Sequence, residues 1–198
     1  MEKNMNAISK LIRRFTIPPV FAALLLLVVY AAFPQDNGGI GHLLCGIFFL
    51  SVLPALAYPL QKHFAHFKDR GREGQRSLAM IFSFVGYLLG TVVSFVLSAP
   101  VRLKLLYCEY LLCGVGMLLL NKVFAVKASG HACGVVGPVI MLFYFGLYLP
   151  ALIGIACILP VYVSSVKTKS HTVRQLVIGS AIPAVVLALL VSVQTLLV

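Results

Sequence analysis

Apolar residues in this chain come in runs too long for the helices of an ordinary soluble domain, broken by short segments rich in Lys and Arg. The runs fall at about Thr16–Phe33, Ile40–Leu60, Leu78–Leu97, Leu103–Leu120, Cys133–Tyr148, Ala151–Val166 and Leu176–Val198. A hydrocarbon core about 30 Å thick takes roughly 20 helical residues to cross, so most of these runs match one crossing each. Pro150 is expected to separate the fifth from the sixth, because Pro138, Pro150 and Pro160 together disfavour one long tilted helix. The pattern predicts an all-α, polytopic transmembrane helix bundle of about six to seven spans, with residues 1–198 forming a single integral membrane domain. Lys10–Phe33 has the outline of a secretory signal, but the rest of the chain is equally apolar, so it is read as the first permanent span.

Composition strengthens this picture. Hydrophobic residues make up 61% of the chain and the mean hydropathy is +1.02, against roughly 45–50% apolar usage in soluble domains. Small-residue spacings at Gly86–Gly90 and Gly134–Gly137 suit close helix packing. The five cysteines form no CxxC pair and no Cys/His ligand set, so they read as packing residues.

Charge adds an orientation. The chain carries 16 Lys and Arg against five Asp and Glu, a net charge of +11. In a soluble protein that excess would point to nucleic acid; here it flanks apolar spans and points to lipid headgroups and topology. With the amino terminus inside, only Arg102 and Lys104 fall in outer loops. The basic loops are therefore expected on the cytoplasmic face. His42 is expected to begin the second span in a structural role, and His63 and His66 to be interfacial. Glu109, an acid within the fourth span, is expected to pair with Lys104.

Three inner segments hold most of the unusual polar residues: Lys62 to Arg76, Lys127-Ala-Ser-Gly-His131, and Lys167-Thr-Lys-Ser-His171-Thr-Val-Arg-Gln175. An even number of spans separates each from the next, which returns the chain to the same face. Their residue types suit phosphoryl transfer, where charge spreads over phosphoryl oxygens and fixed cations stabilise it. Arg offers bidentate phosphate contacts and Lys a point charge. Ser129, Gly130 and His131 open a helix, whose free N–H groups favour an anion. Two histidines can divide nucleophilic and general-acid work.

Over about Lys62 to Gly179 the chain resembles the type 2 phosphatidic-acid phosphatase superfamily, the integral-membrane lipid phosphatases that work without metal, and within it a divergent bacterial branch. The likeness rests on Arg72 and Arg76 as Arg-x-x-x-Arg, on Ala128-Ser-Gly-His131, and on Ser164-Ser165 followed by His171-Thr-Val-Arg-Gln175. Arg76 and Ser129 are 53 positions apart, and His171 falls seven after Ser164. The resemblance implies His171 as the nucleophile forming a phosphohistidine and His131 as the general acid. Arg76, Arg72, Ser129, Gly130, Lys127 and Lys167 would bind phosphate, Gln175 would orient His171, and neither metal nor other cofactor is required.

The chain departs from the family pattern at four places. Asp69 stands where a Lys is expected, Ala128 where a Pro is, Ser165 where an Arg is, and Gln175 where an Asp is. A Gln can fix an imidazole ring but cannot stabilise an imidazolium as a carboxylate does. Expected substrates are lipid phosphates or diphosphates such as phosphatidate, phosphatidylglycerol phosphate, polyprenyl diphosphate or lipid A phosphates; the expected partners are these substrates and membrane lipids, without nucleic acid. Two other readings stay open: a catalytically impaired relative that binds anionic lipid phosphate without turnover, and a small membrane transporter.

Overall fold

Many large apolar side chains face outward along the helices, although others such as Leu25, Leu26, Leu50, Leu106 and Met141 are buried between them. On the helix Gly71–Val96, exposed Ile81, Val85, Leu88, Leu89, Val92, Phe95 and Val96 follow helical spacing, and Gly86, Gly90 and Ser94 are buried on another face. An apolar surface of this extent needs a lipid environment. The chain is an integral membrane protein.

The computed structural model describes residues 16–196, with side chains to residue 193. Helix α1 is Pro18–Ala32, α2 Gly39–His63, α3 Ala65–Lys68 and α4 Gly71–Val96. Next come α5 Val101–Val123, α6 Gly130–Tyr144, α7 Tyr148–Lys167 and α8 Val173–Leu196. No strand occurs among the described residues. Five helices, α2, α4, α5, α7 and α8, are long and apolar enough to cross a membrane. α1 and α6 are shorter, at 15 residues each, or about 22 Å of rise.

Three boundaries differ from the sequence pattern, each for a local reason. α4 begins at Gly71, seven residues before the apolar run, so Arg72 and Arg76 stand four apart on one helix face rather than in a loop. The break between α6 and α7 falls at Gly146, not Pro150. Leu147 N–H bonds Leu142 O at 2.9 Å and Gly146 N–H bonds Phe143 O at 3.0 Å. This is a Schellman end, with Gly146 at φ 75°. Pro150 sits instead in the first turn of α7, where its missing N–H costs nothing. Finally, α2 widens into a π turn at Phe48–Val52 just ahead of Pro54, which removes one i→i−4 donor.

The chain divides into two compact units, one of Ala22–Val115 and one of Gly116–Val198 together with residues up to Phe21. Within the first, α2 and α4 pack closely. A Cβ on Gly86 would come to 2.5 Å from Phe49 O, and one on Gly90 to 2.5 Å from the Tyr107 ring. The polar groups here are joined locally. Arg102 pairs with Asp36 and lies 4.0 Å over the Phe33 ring, and Arg70 pairs with Glu73 at 2.9 Å. His42 faces two carbonyl oxygens, Gly38 at 2.7 Å and Leu97 at 3.4 Å. Glu109 does not pair with Lys104: its carboxylate accepts from Cys113 Sγ at 3.5 Å, and Lys104 Nζ lies 5.4 Å over Phe95. Five residues on a helix are about 140° apart, whereas four place Cys113 on the same face as Glu109.

In the second unit α6 packs against both α7 and α8. Gly154 of α7 lies so close to Val139 of α6 that a Cβ would come to 2.6 Å from its Cγ2. The Tyr162 and Ser180 hydroxyls bond α7 to α8. This packing gathers the carboxyl end of α7 and the amino ends of α6 and α8.

Candidate functional site

The approach to α6 is shaped by Asn121. α5 ends in a π turn, Leu119–Val123, and the chain reverses through Ala125 at φ 52°. Asn121 donates to Met117 O at 2.9 Å and accepts from Ala128 N–H at 3.0 Å, so one amide fastens the incoming segment to the helix it has left. Lys127 is exposed just before this point, and Ala128 is buried.

Ser129, fully buried, then caps α6: its Oγ accepts from Ala132 N–H at 3.2 Å. Its own N–H donates to Gln175 O on α8 at 2.9 Å. Gly179, one turn along α8, allows that approach, because any Cβ there would overlap the Ser129 carbonyl. Gly130 is exposed at the first position of α6 and His131, half-buried, stands second. Backbone N–H groups at these two positions precede the first intrahelical bond and carry the positive end of the helix dipole.

The third motif folds as a pair of caps. α7 ends with Lys169 in the left-handed region at φ 50°, while Ser170 N–H bonds Ser165 O at 3.0 Å and Lys169 N–H bonds Val166 O at 2.9 Å. Thr168 Oγ1 adds a bond to Ser164 O at 2.8 Å and meets Ser170 Oγ at 2.9 Å. Ser164 and Ser165 are buried, and Ser165 Oγ has no hydrogen-bond partner among the described residues. Lys167 is exposed. α8 opens with a reciprocal cap in which Gln175 N–H reaches Thr172 Oγ1 and Gln175 Oε1 accepts from Thr172 N–H, both at 3.3 Å.

The same Gln175 Oε1 faces His171 Nδ1 at 3.1 Å. Because Thr172 N–H can only donate, the amide atom it meets is the oxygen, and the ring nitrogen facing that oxygen must carry a proton. In the neutral ring the lone pair is then at Nε2. Gln175 thus joins both motifs, holding His171 and Thr172 by its side chain and Ser129 by its carbonyl.

The electrostatics come from composition. No Asp or Glu occurs from Gly116 to Val198, which contains Lys122, Lys127, Lys167, Lys169 and Arg174. Two helix amino ends, those of α6 and α8, add positive potential where Ser129 meets Gln175. Ser129, Gly130, His131, His171 and Gln175 are gathered in this unit, with Lys127 and Lys167 on the segments that lead to it. Arg72 and Arg76 belong to the Ala22–Val115 unit, exposed on the first two turns of α4. Among the described residues no group of three or more His, Cys, Asp or Glu is placed to hold a metal ion. Residue-type reasoning missed Asn121 and Thr168; the signal was a polar side chain at each ragged helix end, where carbonyls and N–H groups lack intrahelical partners.

No family model matches the chain, and neither the curated proteins nor the solved structures contain a match to it.

Proposed function

We propose that this protein is a membrane-embedded phosphatase that removes phosphate from a lipid phosphate or diphosphate through a phosphohistidine. The observation that carries the reading is the double role of Gln175, which fixes the His171 ring and ties it to the Ser129–His131 helix start. In this mechanism His171 Nε2 attacks phosphorus as the bond to the lipid oxygen breaks, and His131 protonates that leaving oxygen. Water then attacks phosphorus, His131 takes its proton, the P–N bond breaks and inorganic phosphate leaves. The Gly130 N–H, the Ser129 hydroxyl, Lys127 and Lys167 supply donors and charge to the phosphoryl oxygens. No metal enters these steps.

In this reading the chain crosses the membrane six times with α6 included, or seven with α1 as well. The segment before α6 and the one between α7 and α8 then share a face. The Lys and Arg bias makes that face cytoplasmic, and the likeness to a bacterial branch of lipid phosphatases makes the membrane a bacterial inner membrane. Labelling of a cysteine at Lys167 only from outside the cell would overturn that orientation.

A second reading, lipid-phosphate binding without turnover, draws on two observations. Gln175 supplies no negative charge to stabilise a phosphorylated imidazole, and Ser129 Oγ already serves as a helix cap. Phosphate release by the purified protein from a panel of lipid phosphates and diphosphates decides between them. The enzyme reading expects release that disappears in His171→Ala and in His131→Ala with folding intact. Binding of every lipid with release from none would establish the second reading.

A further inference from the structure

The segment between α2 and α4 lies outside the proposed phosphate chemistry and has its own architecture. It joins two helices that are each long and apolar enough to cross a membrane, so it stands at the end of both. Its backbone is closed on itself. Gln61 Nε2 donates to Phe67 O at 3.0 Å and to Gly71 O at 2.8 Å, and Lys68 N–H bonds Phe64 O at 2.9 Å. Gly74 packs so tightly beneath it that a Cβ would overlap the Phe67 carbonyl.

With the backbone satisfied internally, the side chains of this turn face outward. Lys62, His63, Phe64, His66, Lys68 and Arg70 are arrayed along it and all are exposed, while the aromatic neighbour Phe67 is half-buried. Phe64 is 40% exposed although its ring meets Phe82 edge-on at 6.0 Å. Five cations stand against two acids from Lys62 to Arg76, and one acid, Glu73, is already paired with Arg70. An aromatic ring at the end of two spans, with Lys62 and Lys68 on the same internally bonded turn, has the chemistry of an interfacial anchor. The ring suits the acyl boundary and the ammonium groups suit anionic headgroups.

We propose that the Gln61–Arg70 turn is a binding surface for anionic phospholipid headgroups of the bilayer around the protein, with Lys62 and Lys68 as the headgroup contacts and Phe64 as the anchor. The inference depends on the membrane character of the chain and not on its catalysis, so phosphate release and this surface succeed or fail separately.

The chain contains no tryptophan, which allows a direct test with the full-length protein in vesicles. Phe64→Trp places a single reporter on the turn, and His63→Trp, at an exposed neighbour, is a second in case the first does not fold. Quenching is compared between brominated phosphatidylglycerol and brominated phosphatidylcholine at equal mole fraction. Preference for the anionic lipid by about twofold or more is expected at low salt. It should fall to parity in about 1 M salt and in Lys62→Gln/Lys68→Gln. Val96→Trp, 75% exposed at the far end of α4, should show no preference. Equal quenching by the two lipids at both turn reporters would overturn the proposal. So would a preference that survives loss of both lysines or appears equally at Val96→Trp.

Discussion

The two units differ in the partners they offer their polar residues. In Ala22–Val115 Arg102, Arg70 and Lys104 find carboxylates or aromatic rings, Arg102 with Asp36 and Phe33, Arg70 with Glu73 and Lys104 over Phe95. His42 is held between backbone carbonyls. In Gly116–Val198 there is no carboxylate side chain to find. Its hydroxyls and amides instead cap helix ends and converge on Gln175, beside two positive helix termini. A shared excess of Lys and Arg therefore has two physical meanings. Beside an acid, as at Arg70 and Arg102, it makes local ion pairs; in Gly116–Val198, and at Lys62 and Lys68 of the other unit, it leaves positive potential for an external anion.

The largest expected contrast comes from one histidine in each unit. Loss of the proposed nucleophile in His171→Ala should lower kcat for phosphate release by about 1000-fold or more. His42→Ala should leave kcat unchanged while lowering stability by about 1 kcal/mol, measured by thermal unfolding in detergent. Comparable kinetic losses in both variants would erase the distinction between the units.

Gln175 sharpens it further. Removing the orienting amide in Gln175→Ala should reduce kcat by about 10- to 100-fold with little change in KM. Gln175→Glu keeps an acceptor for Thr172 N–H and His171 Nδ1–H and adds the missing charge, so kcat should rise by about tenfold. A fall in Gln175→Glu equal to that in Gln175→Ala would show that the side chain does not act through the imidazole.

Smaller effects are expected from backbone packing. Gly179→Ala forces a methyl against the Ser129 carbonyl and should cost about 1–3 kcal/mol, lowering both the melting temperature and the phosphate-release rate. Gly39→Ala, at a position with open space but φ 81°, should cost about 1–2 kcal/mol through backbone strain alone and leave release unchanged. At the bottom of the scale, Lys169→Gly relieves a left-handed residue at φ 50°. It should gain about 0.5–1 kcal/mol in stability.

How far these features can be read from the sequence depends on the signal each one leaves. Apolar runs locate the cores of the spans, and Gly86 and Gly90 identify a close-packed face, because both depend on side-chain type alone. The start of α4 is hidden because Arg, Glu and Gln are good helix formers that hydropathy does not mark. The end of α6 is hidden because Pro150 is the louder breaker, although Gly146 supplies the conformation. Charge alone pairs Glu109 with Lys104; helical phase pairs it with Cys113, and phase wins. At the site, the Thr-x-x-Gln spacing predicts a helix start, but no sequence feature reveals that the Gln175 carbonyl holds Ser129. That contact exists only once α6 and α8 pack, and Gly179 is its sole trace in the sequence.

The most direct test of the phosphatase reading is to trap the enzyme during turnover. Purified protein is mixed with a lipid phosphate, quenched in alkali to preserve P–N bonds, digested and sequenced by tandem mass spectrometry. The account predicts one added phosphoryl group on the His171 ring, absent in His171→Ala. Phosphate release that proceeds at an unchanged rate in His171→Ala, with no phosphoryl group on that ring in the native protein, would contradict it.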